Sequence, residues 1–428
     1  MSIIVLLIFI LLLLLRVPIS LVLGITSFVF LLVSNNTGML INAPQRLYSS
    51  LENYGLVAIP LFMLAGELMN SGGITIRLVK FAQSFVGHFR GGLAYVNILA
   101  NTFLAAIIGS AAAQIAMMSK IMVPAMEKEG YKREFGAATT AAAGMLGPII
   151  PPSMLFIIYG VSSGTSIGDM FMAGIIPGIL ISISFVVLIA YIGYKEQWQS
   201  SEKILWKERG VSFVKVLPAL LVPGIIIWGI VTGAFTPTES AGIACVIAIL
   251  IGFLFYRELK WRELPKVMIN TAISTAIVTL LISMANLFGM VLTFERIPQL
   301  IAEWMTSVTS SPLVFLLIVN VFFLLLGMLI EGIAILIILT PIFAPLLPQF
   351  GIDPIHFGVI ICLNVTIGIL TPPVGSGLFL ASSLGNVKLE SLVKAIWPFV
   401  VVSIIVLFLI TYIPELVLYI PSLFAANS

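Results

Sequence analysis

Two apolar stretches of this 428-residue chain are cut by the same kind of break, and these breaks restrict the fold more than any other feature. The first is Gly147-Pro148-Ile149-Ile150-Pro151-Pro152-Ser153. The second, Gly368-Ile369-Leu370-Thr371-Pro372-Pro373, lies 221 positions later. Proline removes a backbone donor and clashes with the preceding turn, so a helix cannot pass through either segment regularly. Within a membrane, such backbone persists only where protein or a polar cavity satisfies the freed groups. The same offset carries Pro124 onto Pro345, and Gly109-Ser110 onto Ile330-Glu331, beside Gly332. Paired interruptions in two halves point to a transporter built from repeats, with its site at the breaks.

Composition agrees with a membrane setting. Hydrophobic residues make up 60% and charged residues 9% of the chain, and mean hydropathy is +1.18; soluble domains carry about 25% charge. A net charge of +3 is small and says nothing about nucleic acid, and no nucleic-acid partner is expected. Cys245 and Cys362 lie in apolar spans and read as small core residues, with no metal spacing or disulfide framework. His88 and His356 pair with nothing, and no G-x-x-x-x-G-K-[ST] loop is present. The chain is therefore expected not to be an enzyme and to draw on a gradient or another subunit. Met1 to Leu15 lacks a basic leader and a clear cleavage site, so it reads as a span rather than a signal peptide.

In chain order, apolar pieces at 2–15 and 18–34 flank Arg16-Val17-Pro18, and an amphipathic link precedes a span near 51–72. Residues 74–89 suit a helix lying along the interface. Residues 91–128, interrupted at Gly109-Ser110, have arms of about 16 residues, roughly 24 Å of helix, short for a crossing. They fit a re-entrant hairpin. A broken helix (131–165) and a plain span (170–194) complete a first repeat, 1–194; a cytoplasmic link, 195–210, opens the way to a second, 211–428. The second repeat holds spans near 213–233, 239–256 and 267–293, an interfacial arm at 295–311, and a re-entrant hairpin at 312–348. A broken helix at 354–381 and a last span at 390–422 follow. The fold expected is all-α and polytopic, with about ten crossings and two inverted repeats. Of 21 Lys and Arg, 18 fall on one side of this arrangement, which the positive-inside rule makes cytoplasmic. The exceptions are Arg46, Arg296 and Lys120. The two hairpins then enter from opposite sides.

Unwound segments offer carbonyl oxygens, and Ser110 and Ser153 add hydroxyls; such shells suit hard cations, while exposed helix N-termini favour anions. The competing reading is that small residues merely permit close packing. In the second half the corresponding parts are Gly327, Glu331 and Gly332 at the tip, and Gly368, Thr371, Pro372, Pro373, Gly375 and Ser376 at the break. Glu331 is costly in an apolar run, so it is either functional or shallow. Gln114 is the polar residue of the first tip. Asn97, Asn101, Asn286, Asn364 and Thr366 read as interhelical glue, and Lys120 as a snorkelling side chain.

Several segments together resemble the large membrane subunit of tripartite ATP-independent periplasmic (TRAP) transporters, over nearly the whole chain. They are Ala58-Ile59-Pro60-Leu61-Phe62-Met63-Leu64-Ala65-Gly66-Glu67, Gly109-Ser110-Ala111, Gly147 to Ser153, Phe235-Thr236-Pro237-Thr238-Glu239 and Leu370-Thr371-Pro372-Pro373-Val374-Gly375. In the usual first-tip pattern, G-S-x-x-A-D, Ala113 is kept and Gln114 replaces the acid; Glu331 stands where an aspartate is common. The resemblance implies a sodium-coupled, elevator-type importer of organic acid anions such as sialic acid, C4-dicarboxylates or sugar acids. It sets the chain in the bacterial inner membrane, surrounded by the lipid bilayer. It implies two partners: a small four-helix membrane subunit, expected as a separate chain, and an extracytoplasmic substrate-binding protein. Two or more sodium ions are implied, one among Ser110, Gly144, Gly147 and Pro148 and another among Gly327, Gly368 and Thr371. The anion would lie between the tips, near Ser110, Gln114, Ser153, Glu331, Gly332, Gly375 and Ser376. A stand-alone sodium–dicarboxylate symporter of related architecture is the alternative. An intramembrane enzyme would need an acid pair, a Ser/His pair or a metal cluster, none of which the sequence offers, and an assembly subunit would not need duplicated breaks.

Overall fold

The apolar runs become helices, and glycine and proline decide where each one stops. The computed structural model describes residues 2–15, 17–34, 37–198 and 206–425. Arg16, central to the first interruption, and residues 199–205 of the link fall outside the described residues. Among those described there is no strand. The helices in order are α1 (Ser2–Leu14), α2 (Ile19–Val33), α3 (Thr37–Ser49), α4 (Ala58–Ser71), α5 (Ile74–Val86), α6 (Gly92–Ile108), α7 (Ala111–Lys128), α8 (Arg133–Gly144), α9 (Met154–Ser163) and α10 (Ile167–Lys195). They continue as α11 (Trp206–Val231), α12 (Pro237–Leu250), α13 (Leu264–Phe294), α14 (Ile297–Val308), α15 (Pro312–Gly327), α16 (Gly332–Phe343), α17 (Pro354–Gly368), α18 (Ser376–Gly385), α19 (Leu389–Tyr412) and α20 (Glu415–Ala425).

Among the described residues, seven helical stretches are long and apolar enough to cross a membrane. The remaining apolar helices are shorter pieces, among them α9, α17 and α18 on either side of the breaks. One expectation is corrected. The last stretch, 390–422, is not one helix: it divides between α19 and α20, with Ile413 at φ −124° and ψ 81° ahead of Pro414. A proline drives the residue before it out of the helical region.

Packing crosses between the halves. Helix α9, the second piece of the first broken helix, packs on α16 of the second hairpin. Helix α18, the second piece of the second broken helix, packs on α7 of the first hairpin. Around this centre α8 meets α19, and α10 meets α9, α17 and α19. A second group joins α4 to α12 and α13, α13 to α2, and α11 to α5 and α12.

Contacts between loops define two ends of the bundle. At one, Arg77 pairs with Glu258 at 2.8 Å and lies over the Tyr256 ring. Trp198 stacks edge-on against Tyr131 and closes over Gly91, and the Arg133 Nε donates to the Gly385 carbonyl at 2.7 Å. At the other, Thr238 Oγ1 donates to the Tyr54 carbonyl at 3.3 Å, and the Tyr159 hydroxyl to the Pro354 carbonyl at 2.6 Å. The open ends of α6 and α7 lie with the first set and the α16–α17 connection with the second. Arg77, Arg133 and their basic loop neighbours thus gather at one end.

Candidate functional site

Each tip is docked on the break of its own half. In the first, Gly109 ends α6 at a φ of 65°, a conformation that favours glycine. Its carbonyl accepts from the Met154 N–H at 3.4 Å. Ser153 caps α9, accepting from the Phe156 N–H at 3.3 Å, and its hydroxyl donates to the Pro148 carbonyl. Ser110 caps α7 in the same manner. The Gly109 carbonyl and Ser153 thus satisfy backbone groups at the break, and Ser110 one at the start of α7.

In the second, one carbonyl does most of this work. Met328 accepts from the Val374 N–H at 3.2 Å and the Gly375 N–H at 3.3 Å. Gly327 and Gly368 meet backbone to backbone, so a Cβ on Gly368 would overlap Gly327. Both Pro151-Pro152 and Pro372-Pro373 are cis.

Between the tips lies a cavity of about 90 Å³. Its polar wall is Ser110, Glu331, Thr366 and Ser376; the first tip (Gly109, Ala111 and Ala112), Pro148, Met154, Leu155, Gly332, Ile333, Val365 and Ile369 complete it. Both halves contribute. At about 30 Å³ per water, this volume holds roughly three waters. Glu331 is exposed to it and occupies the N-cap of α16 without a side-chain cap bond. An acid at a helix N-terminus is favoured by the helix dipole, by about 0.3–1 kcal/mol.

A larger space of about 570 Å³ adjoins it, sharing Ser110, Ala112 and Met154. It runs between α4, α7 and α13 past Gly66, Glu67, Asn70, Lys120, Thr271 and Ser274. Lys120 is the one cation and Glu67 the one acid of its wall.

Of the residues expected at the anion, Ser110, Glu331, Gly332 and Ser376 line the small cavity. Gln114, Ser153 and Gly375 do not. Gln114 is fully buried and donates to the Asn101 carbonyl at 2.9 Å. Ser153 is consumed by its two hydrogen bonds, and Gly375 turns beneath the cavity at a φ of 36°. Of the expected sodium ligands, Ser110, Gly144, Gly147 and Pro148 follow one seam. A Cβ on Gly147 would stand 3.1 Å from the Ser110 carbonyl oxygen, and one on Gly144 would strike Ile115. Gly327 and Gly368 touch directly, and Thr371 Oγ1 donates to the Ile367 carbonyl at 2.8 Å. No group of three or more His, Cys, Asp or Glu that could hold a metal occurs among the described residues. Two of the intramembrane amides read as glue join helices: Asn97 Nδ2 donates to Thr140 Oγ1 at 2.8 Å, and Asn364 Nδ2 donates to Asn320, whose own Nδ2 donates to Thr411; the Asn101 amide donates within α6.

Thr366, read from sequence as glue, reaches the cavity wall. The Glu67–Lys120 space went unread. Its available signal was an acid and a lysine in otherwise apolar helices, but nothing in the sequence brings the two helices together.

The chain matches the family described as "Tripartite ATP-independent periplasmic transporter, DctM component" over residues 6–416. It is 38% identical over 407 residues to the sialic acid TRAP transporter large permease protein SiaM of Vibrio cholerae, covering 95% of each chain. It is 40% identical over 377 residues to the C4-dicarboxylate TRAP transporter large permease protein DctM of Pseudomonas aeruginosa, covering 88% of each. In three dimensions it is similar to the YdaH transporter of Alcanivorax borkumensis, with a TM-score of 0.63 at 16% identity, over 95% of this chain and 97% of that one. At that identity the likeness speaks for the fold alone.

Proposed function

The chain belongs to the DctM component family of tripartite ATP-independent periplasmic transporters, and we propose that it is the sodium-coupled path by which such a system imports an organic acid anion. The observation that carries this reading is the pair of docked tips, one from each half, closing on a single cavity that both halves line. The two relatives named above are named for sialic acid and for C4-dicarboxylates, and a carboxylate-bearing anion is the class proposed here. In this reading the halves are inverted repeats, the hairpins are re-entrant, and the chain spans the bacterial inner membrane in many passes. A small membrane subunit and an extracytoplasmic binding protein complete the assembly.

Sodium would sit at the tip–break seams, among Ser110, Gly144, Gly147 and Pro148 and among Gly327, Gly368 and Thr371. The oxygen-only character of these seams suits a hard cation. The hairpins, broken helices, α10 and α19 would move as one body against α4, α11, α12 and α13, which is an elevator motion. The 90 Å³ cavity is too small for an organic acid, whereas ligand pockets span about 300–1,000 Å³. The adjoining 570 Å³ space falls in that range. It runs along α7 toward the end where the basic loops gather, which the positive-inside rule assigns to the cytoplasm. That makes it the proposed release route, and the state described here inward-facing.

The test is uptake into proteoliposomes holding this chain with its two partners. Uptake that requires an inward sodium gradient and no ATP is expected. Undiminished uptake under a proton gradient alone would refute the coupling. Accumulation by this chain without either partner would favour the stand-alone symporter.

A further inference from the structure

The fully buried amide of Gln114 leaves one of its atoms unanswered. Its Nε2 donates to the Asn101 carbonyl on the facing arm at 2.9 Å. A carbonyl only accepts, so this bond settles which end of the amide is which: nitrogen toward α6, oxygen toward the first break. There Oε1 meets no donor among the described residues. A Cβ built on Gly147 would stand 2.5 Å from that oxygen and 3.1 Å from the Ser110 carbonyl oxygen, so any side chain at 147 would collide with the amide oxygen and crowd the Ser110 carbonyl, and only glycine lets the two oxygens approach the turn. A buried acceptor without a donor bears the cost of its lost hydration. Leucine or methionine would fill the volume of Gln114 without that cost. The position 221 residues on is Ile335, which is buried and apolar, so repetition of the hairpin does not account for an amide here.

We propose that Gln114 is a neutral side-chain ligand of a monovalent cation at the first break. Its oxygen joins the backbone oxygens of Ser110 and the Gly144–Pro148 turn. The inference takes the identity of the ion, sodium, from the function proposed above; the position of the ligand rests on the amide itself. An amide oxygen coordinates a hard cation as a backbone carbonyl does, and it has no proton to exchange at any ordinary pH. Cation binding at this seam therefore gains no pH dependence from residue 114. An acid at the same position would bind more tightly when ionised and would make protons compete.

The experiment measures thermal unfolding of the purified full-length chain in lipid nanodiscs, titrated with sodium, lithium or potassium against choline. Wild type, Gln114→Met and Gln114→Glu are compared, each first shown to be monodisperse in choline. Wild type is expected to be stabilised by sodium. Gln114→Met should melt normally in choline and need about tenfold more sodium for the same stabilisation, equal to about 1.4 kcal/mol. Gln114→Glu should bind sodium more weakly at about pH 5.5 than at about pH 8, where wild type is flat. A Met variant that responds to sodium as wild type does would overturn the ligand assignment and leave the sodium reading standing. A wild type that answers lithium or potassium only, with that response lost in Gln114→Met, would uphold the ligand and overturn sodium. If no cation stabilises wild type, both fall. Should Gln114→Met not be monodisperse, the pH response of Gln114→Glu decides: a flat profile overturns the inference.

Discussion

The first break is sealed by side chains together with the Gly109 carbonyl, the second mainly by main chain. From Gly144 to Ile149 and from Pro151 to Ser153 every residue is buried, and the Ser153 hydroxyl and the Gln114 amide reach into the turn. At the second, Pro373, Val374 and Ser376 are exposed, and the seam rests on the Met328 carbonyl and the Gly327–Gly368 contact. The backbone device is the same in both, yet the chemistry that holds it is not. Few buried contacts mark the parts of a protein that open first. The contrast therefore predicts a rigid first seam and a labile second one.

The largest effect expected is from Gly368→Val. Its side chain must push the second tip off its break, and overpacking costs about 1–3 kcal/mol. Uptake should be abolished and the unfolding midpoint lowered. Gly147→Ala meets a side-chain oxygen first and should keep the fold while weakening cation stabilisation. If it unfolds the chain as readily as Gly368→Val, the first seam is main-chain locked too and the contrast is wrong. Next, a cysteine at Val374 should react with a water-soluble maleimide at least about tenfold faster than one at Ile149, a gap of about 1.4 kcal/mol in exposure. The native Cys245 and Cys362 are both buried and set the background. Equal rates would show the two seams opening together.

Ser153→Ala removes a cap and a bond to the Pro148 carbonyl, so it should cost about 1 kcal/mol. Ser376→Ala caps nothing and should change stability by less than about 0.5 kcal/mol. Denaturation of both variants in one detergent sharpens the comparison between side-chain and main-chain sealing. A similarly small effect is expected from Glu331→Gln. Losing the carboxylate at the head of α16 should cost about 0.3–1 kcal/mol through the helix dipole. A larger stability loss would mean that Glu331 braces the second tip, and the seam would then not be main-chain alone.

Much of the architecture was legible because glycine and proline act locally. The pause at Gly109-Ser110, the break from Gly147 and the break from Gly368 all fall where the residues put them. Proline was a less certain guide in the last stretch. Pro398 and Pro421 lie inside helices while Pro414 separates two, and nothing in the apolar run distinguishes them. Of the seven residues expected around the anion, Ser110, Glu331, Gly332 and Ser376 line the cavity between the tips, and Gln114, Ser153 and Gly375 do not. Successive helical residues point about 100° apart, so Ala112 reaches the cavity while Gln114, two positions on, faces the break. That rotation depends on how α7 settles against α6 and α8. The Glu67–Lys120 space depends on α4 meeting α7, and no local pattern records a meeting between distant helices.

The exchange of α9 with α16 has a consequence for how the protein is made. About 170 residues separate the end of α9 from the start of α16. At roughly 5–20 residues per second, α9 waits about 10–35 s after synthesis before its partner exists. Helix α7 waits longer still for α18. Through that interval the faces of α9 and α7 that pack on α16 and α18 have no partner to meet. Manufacture is then a single act spanning the whole chain, and a ribosome that stalls after the link leaves behind an unfinished lock rather than a working half.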